Sequence, residues 1–342
     1  MEWEEIVMKV IKGLFRKRLL LVAAVVMSLG LLTGCGAKES SDGGSDSGEK
    51  TVIRVGVQNS IPIPYLAEVY GYFEDEFKND NVTVELKEFS LGPAIIEAVN
   101  SGDLDIGFLG DVPTLSGLVN GGSYKIIGRY ESAYSSYLIA RDDANIKNLS
   151  DLKGKKLAYA FGSTQTALVY GYLEDAGLSD TDVELVNLSF ADIITSIANG
   201  NIDAAVVDEL RATTAVNNGG VSKIKNSEGY KLFVNPIIAT NDFSSKNPEL
   251  VARVLKVLQK TALYVADHQD EAVAKAAERI GVDKSSIEAI IKNYNLEVLL
   301  TSTEIEAMKT NAKAAYKYGV IKSDLDVSKY IDTSYLEKAG LQ

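Results

Sequence analysis

Cysteine is nearly absent from these 342 residues: Cys35 is the only one, and histidine is equally scarce, with His268 standing alone. Residues 51–342 therefore owe nothing to disulfides and offer no thiol nucleophile. His268 lies among Asp267, Gln269, Asp270 and Glu271 on the charged part of a predicted surface helix, which argues against a histidine-based triad. A Walker-type phosphate loop, a metal-ligand cluster and a nucleophile with a base at motif spacing are all missing. No metal and no cofactor is expected, and what remains for catalysis is a carboxylate-only hydrolase built on Asp111 and Glu209. Basic tracts are lacking too. The formal net charge is −12, which speaks against nucleic acid as a partner and keeps the chain from lying flat on anionic lipid.

Long apolar runs are also scarce. The fourteen uncharged residues Leu19 to Leu32 fall short of the roughly 20 needed to span a bilayer. They follow Lys9, Lys12, Arg16, Lys17 and Arg18 and end at Leu32-Thr33-Gly34-Cys35. A basic head, a short apolar stretch and small residues before a cut are the layout of a secretory signal. The pattern resembles a bacterial lipoprotein signal, which implies that Cys35 is acylated and becomes the first mature residue. Translation from Met8 would remove Glu2, Glu4 and Glu5 from the basic head. The Gly-, Ser-, Asp- and Lys-rich stretch that follows cannot bury apolar surface and reads as a flexible tether. The expected organisation is a signal over 1–34, a tether over 35–50, and a folded body working extracytoplasmically, lipid-anchored to the cell membrane.

That body carries an internal repeat. The segment from Val84 to Asp111 echoes the one from Val183 to Glu209: Ser90 matches Ser189, Ile95-Ile96 match Ile193-Ile194, Gly102 matches Gly200 and Asp105 matches Asp203. Each copy reads as strand, helix, strand, with a Gly where the helix should stop. Copies this far apart are not a solenoid and fit two similar α/β lobes. Further strands are expected at Val52–Val57, Tyr124–Ile127, Tyr137–Ala140, Lys155–Ala160 and Leu232–Ala239, with helices at Tyr65–Phe73 and Gln165–Ala176. Alternation of strand and helix predicts mainly parallel sheets. From Asn247-Pro248-Glu249, a capping side chain followed by Pro, the remainder reads as helical.

Several segments occur in the order of a known family. They are Gly92-Pro93, Asp103-Leu104-Asp105-Ile106-Gly107, Leu109-Gly110-Asp111-Val112-Pro113, Leu149 to Lys156, Gly162-Ser163-Thr164, Gly200-Asn201-Ile202-Asp203-Ala204 and Val207-Asp208-Glu209. The chain thereby resembles the solute-binding proteins of ABC transporters that serve nitrate, taurine, aliphatic sulfonates and thiamine-precursor pyrimidines. The resemblance implies a two-lobed α/β periplasmic-binding-protein fold, type II-like, with two crossing strands as hinge near Ser136–Arg141 and Phe233–Asn241 and a helical C-terminal region. One lobe would comprise 51–137 and 238–342, the other 138–237. It also implies a monomer that binds a small-molecule solute and delivers it to a membrane permease. Relatives carry a Trp-x-Pro pattern where this chain has Val207-Asp208-Glu209, a departure from the sulfonate binders.

In such a fold the ligand belongs at the carboxyl ends of the strands, where loops enter helices. The candidate loops are Gln58-Asn59, Gly92-Pro93, Gly110-Asp111, Ser163-Thr164-Gln165 and Asp208-Glu209, with Tyr134-Ser135 as an aromatic wall plus hydroxyl. Helix starts suit an anionic head group. Asp111 and Asp208-Glu209, at equivalent repeat positions, are expected to face each other across the cleft, either as plain caps or as partners of an ammonium. The latter would make the ligand a zwitterion such as taurine. Alkanesulfonates fit the anion side alone. The alternatives are an amino-heterocycle such as a pyrimidine or, in a different class, a lipoprotein without a transport role.

Overall fold

In a computed structural model of the chain, the described residues are 50–58 and 60–342; the expected signal, Cys35, the tether up to residue 49, and Asn59 lie outside them. The chain opens with β1 (Thr51–Gln58), α1 (Pro62–Val69), α2 (Tyr72–Phe77), β2 (Val82–Phe89), α3 (Gly92–Asn100), β3 (Ile106–Phe108), α4 (Asp111–Val119) and β4 (Tyr124–Ala133). There follow β5 (Ser136–Arg141), β6 (Lys156–Tyr159), α5 (Thr166–Asp175), β7 (Glu184–Asn187), α6 (Phe190–Ala198), β8 (Ala204–Asp208), α7 (Glu209–Asn217) and β9 (Val221–Asn226). After β10 (Phe233–Thr240) come α8 (Asn241–Lys246), α9 (Pro248–Asp267), α10 (Gln269–Ile280), α11 (Lys284–Asn293), α12 (Ser302–Lys317) and α13 (Ser334–Lys338).

The strands form two five-stranded sheets, ordered β2-β1-β3-β10-β4 and β7-β6-β8-β5-β9. The two orders are the same once the repeat is applied: β2-α3-β3 occupies in the first lobe the place of β7-α6-β8 in the second. Each sheet is mixed rather than mainly parallel. β1 runs parallel to β2 and β3, and β6 to β7 and β8. The fourth strand of each sheet, β10 or β5, is antiparallel to both neighbours because it enters from the other lobe. The chain crosses between lobes at Tyr134-Ser135, between β4 and β5, and again over 227–232, between β9 and β10. The strands expected to cross, Ser136–Arg141 and Phe233–Asn241, instead lie each within a single sheet.

Alternation along the second sheet sets its two cores. Leu138, Leu157, Tyr159 and Val206 face α5 residues such as Leu168 and Tyr172, while Ile139, Ala158, Ala205 and Val207 face Phe190, Ile193 and Ala212 on the opposite side. In the first lobe a single large core includes Ile53, Val55, Ile106, Ile237, Val254 and Leu258. The expected helix Tyr65–Phe73 is two helices, interrupted where Gly71 takes φ 68°, a conformation open to glycine. Asn247 precedes α9 without a side-chain cap; its amide donates to the Phe243 carbonyl at 3.2 Å instead. The C-terminal helices mostly cover the first lobe, except α11, which packs on α7 of the second.

Candidate functional site

A cavity of about 50 Å³ lies between the lobes, lined on one side by Gln58, Gly92 and Gly110 and on the other by Ser163, Thr164, Gln165 and Asp208. One water needs about 10–15 Å³ by this measure, so the space matches a small solute. The lobes are closed on each other here: a Cβ at Gly110 would fall 1.8 Å from Thr164 Oγ1, and one at Gly162 would lie 3.8 Å from Pro93 Cγ.

Five helix starts converge on the cavity. Leu91, Gly110 and Gln165 are the N-cap residues of α3, α4 and α5, and none of their side chains caps its helix. Phe190 begins α6 and Asp208 caps α7, accepting from Arg211 N at 3.0 Å. At α4 the first N–H groups are already taken, Asp111 N by Asn235 Oδ1 at 3.3 Å and Val112 N by Asp111 Oδ1 at 2.7 Å; the uncapped starts of α3 and α5 leave N–H groups and the positive end of the helix dipole for an anion. Ser163, only 6% exposed, has a buried Oγ with no hydrogen-bond partner among the described residues. Gln165 donates to Ser136 Oγ at 3.0 Å.

The cavity floor comes from β4 and β10. Glu131 accepts from Asn235 Nδ2 at 2.5 Å, and its other oxygen makes no hydrogen bond among the described residues. Burial pushes its carboxyl up to about 8, against the Asn235 hydrogen bond and with help from nearby Asp208. At neutral pH Glu131 is thus largely a neutral acid, able to donate. Burial holds the Tyr130 and Tyr294 hydroxyls well above the ordinary tyrosine range, so both stay protonated; Tyr294 donates to the Ser135 carbonyl at 3.3 Å. Asp208 keeps a cation of its own, Arg211 Nη1 at 2.7 Å. Leu91, Pro113, Phe190, Leu210, Phe233 and Ile290 add apolar wall.

Four of the sequence candidates fall elsewhere. Asp111 is buried and turned away: it pairs with Lys231 Nζ at 2.9 Å and accepts from Asn311 Nδ2 at 2.9 Å. Glu209, fully buried, pairs with Lys223 and accepts from Thr213 Oγ1 at 2.7 Å. Neither lines the cavity, because each is paired with a lysine of this chain, the buried Lys231 or the more exposed Lys223. Pro93 is exposed at the mouth, and Tyr134 is 44% exposed; the aromatic wall is Tyr130, Tyr294, Phe190 and Phe233. Ser135 does line the cavity. Sequence reading missed Glu131 and Asn235: Asn235 stands in the otherwise apolar run of β10, whereas Glu131 is masked by the neighbouring Arg129 and Ser132 in β4. It also missed Ile290 and Tyr294, which lie beyond the repeat.

The model of the family described as NMT1/THI5 like matches residues 58–272. A protein of Bacillus subtilis (strain 168) named, by inference, an aliphatic sulfonates-binding protein is 28% identical over 327 residues, covering 95% of this chain and 97% of its own. Among solved structures, the alkanesulfonate-binding protein SsuA from Xanthomonas axonopodis pv. citri, bound to MOPS, superposes with a TM-score of 0.76 at 21% identity, over 84% of this chain and 99% of that one. The desulfurization enzyme DszB superposes with a TM-score of 0.67 at 15% identity, over 84% and 98%. The same two-lobed fold therefore carries both binding and enzymatic proteins.

Proposed function

Because the chain belongs to the NMT1/THI5-like family and closes two lobes on a small polar cavity, we propose that it is the extracytoplasmic solute-binding component of an ABC importer for a small sulfonate-type anion. The observation that carries this reading is the buried, unpartnered Ser163 hydroxyl beside two helix starts, α3 and α5, without side-chain caps. An oxyanion is the group that such donors complement. Neutral Glu131 adds a further donor, and the apolar wall suits a short alkyl portion.

An alkanesulfonate is favoured over taurine, since Asp111 and Glu209, the carboxylates expected to hold an ammonium, are committed to Lys231 and Lys223. The pyrimidine reading is weaker for a similar reason. Asn235 spends its amide on Glu131 and its carbonyl on Asp111 N at 3.3 Å, leaving little to read a heterocycle edge. Binding rather than turnover is part of the proposal, as is tethering through lipid on Cys35 and hand-over to a permease that reads the closed shape.

A thermal-shift panel of methanesulfonate, longer alkanesulfonates, taurine, nitrate, bicarbonate and aminopyrimidines tests the reading. A ligand at a hundred times its dissociation constant adds about 2.7 kcal/mol of stability. Shifts confined to sulfonates support it, while a response only to aminopyrimidines, or turnover of any panel member, overturns it. Cys35→Ser should move the protein from the membrane to the soluble fraction of cells; retention in the membrane would remove the anchor.

A further inference from the structure

Lys231 lies in the second crossing segment, 227–232, two residues before the cavity-lining Phe233, and is only 6% exposed. An ammonium has three protons to donate. Two directions are taken by the first lobe: Asp111 Oδ1 at 3.1 Å and Oδ2 at 2.9 Å. The third goes to the second lobe, to the main-chain carbonyl of Thr164 at 3.3 Å.

Asp111 is itself fixed from both sides. Asn311 Nδ2 of α12 donates to it at 2.9 Å, and its main-chain N–H donates to Asn235 Oδ1 at 3.3 Å. Asn235 in turn holds Glu131 in the cavity. A continuous polar chain thus runs from the cavity floor through Asn235, Asp111 and Lys231 to the loop that carries Ser163. Only its last link joins the two lobes. Parting the lobes would exchange this charge-assisted bond for one to water, so the link favours closure by the difference between the two.

We infer that Lys231 is a positioning residue that latches the Ser163-Thr164 loop of the second lobe to the Asp111 helix start of the first, setting how long the closed cleft holds its solute. The inference rests on the solute-binding reading for its effect on affinity, but the latch itself concerns lobe geometry.

Lys231→Met alone leaves Asp111 buried without its cation and risks misfolding, so the decisive variant pairs it with Asp111→Asn. Spin labels on Glu97→Cys and Thr195→Cys, exposed positions on α3 and α6, report the interlobe distance in full-chain protein carrying Cys35→Ser. Without added solute, the paired variant should keep the native circular dichroism spectrum and shift toward longer interlobe distances. A distance distribution identical to that of the parent overturns the latch. With methanesulfonate as probe, dissociation should quicken at least tenfold; an unchanged dissociation rate overturns the latch too. If the parent protein binds no panel solute, the transport reading fails while the distance measurement still decides the latch.

Discussion

A buried hydroxyl without a partner costs about 1–3 kcal/mol, so at Ser163 the folded chain gives up stability, and under the proposed function an oxyanion would restore the missing bond. Ser163→Ala is therefore expected to act with opposite signs on folding and binding. The free protein should be as stable as the parent or slightly more so, while the solute binds about 5- to 30-fold more weakly, the equivalent of about 1–2 kcal/mol. Chemical denaturation and calorimetry on the same preparations check both arms; equal weakening of fold and ligand would reduce Ser163 to a packing residue. Asp111 and Glu209 teach the contrary lesson. A carboxylate at a helix start reads the same from sequence whether it caps, pairs or binds, and its cation decides which. Lys231 lies 120 residues from Asp111, and Lys223 sits on β9, a strand whose polar edge residues Ser222, Lys223 and Lys225 hide its pattern.

Elements were far more legible than partners. The repeat located β2-α3-β3 and β7-α6-β8, and Gly102 and Gly200, at φ 81° and 75°, end the helices where expected. β4 runs on to Ala133 rather than stopping at Ile127, because Arg129 and Glu131 interrupt the apolar run yet are buried in the strand. The closing wall from α11 was invisible, since nothing local marks Ile290 as a residue that meets another lobe. At the element level the sharpest constraint is the turn into α4. Gly110 has φ −67°, open to any residue, so alanine is refused there by the Thr164 side chain at closure, whose Oγ1 and Cβ would lie 1.8 and 3.1 Å from the added Cβ. Gly110→Ala should leave the fold intact and weaken solute binding more than about tenfold, as expected for a clash confined to the closed state. Adding Thr164→Ala removes the nearest atom and should recover part of the affinity. An affinity for Gly110→Ala equal to the parent's would mean that closure does not bring these loops together.

For the molecule as a whole, the two closed lobes bury one carboxyl whose protonation is tied to folding. Glu131 titrates near 8 in the folded protein, where burial comes first, then the opposing Asn235 bond, then the neighbouring Asp208 and, in the other direction, Arg129; unfolded, it returns to the ordinary value of 4.5. Between those limits the native state keeps a proton that the unfolded chain has released. Its stabilising share is complete below pH 4.5, declines as pH rises, and is gone above about 8, at up to about 1.4 kcal/mol per pH unit. Glu304 works in the opposite sense. Burial, which would raise it, is outweighed by Thr301 and Arg129, so it lies below the usual glutamate value, and its share is lost only as pH falls through the acid range. From pH 5.5 to 8 the slope should therefore belong largely to Glu131. Glu131→Gln, which keeps the shape and cannot titrate, should flatten the stability profile measured by denaturation across that window. Since an anion favours the protonated carboxyl, sulfonate affinity should fall over the same range in the parent and not in the variant. A slope that survives Glu131→Gln would assign the proton to another group and with it remove the neutral acid from the cavity.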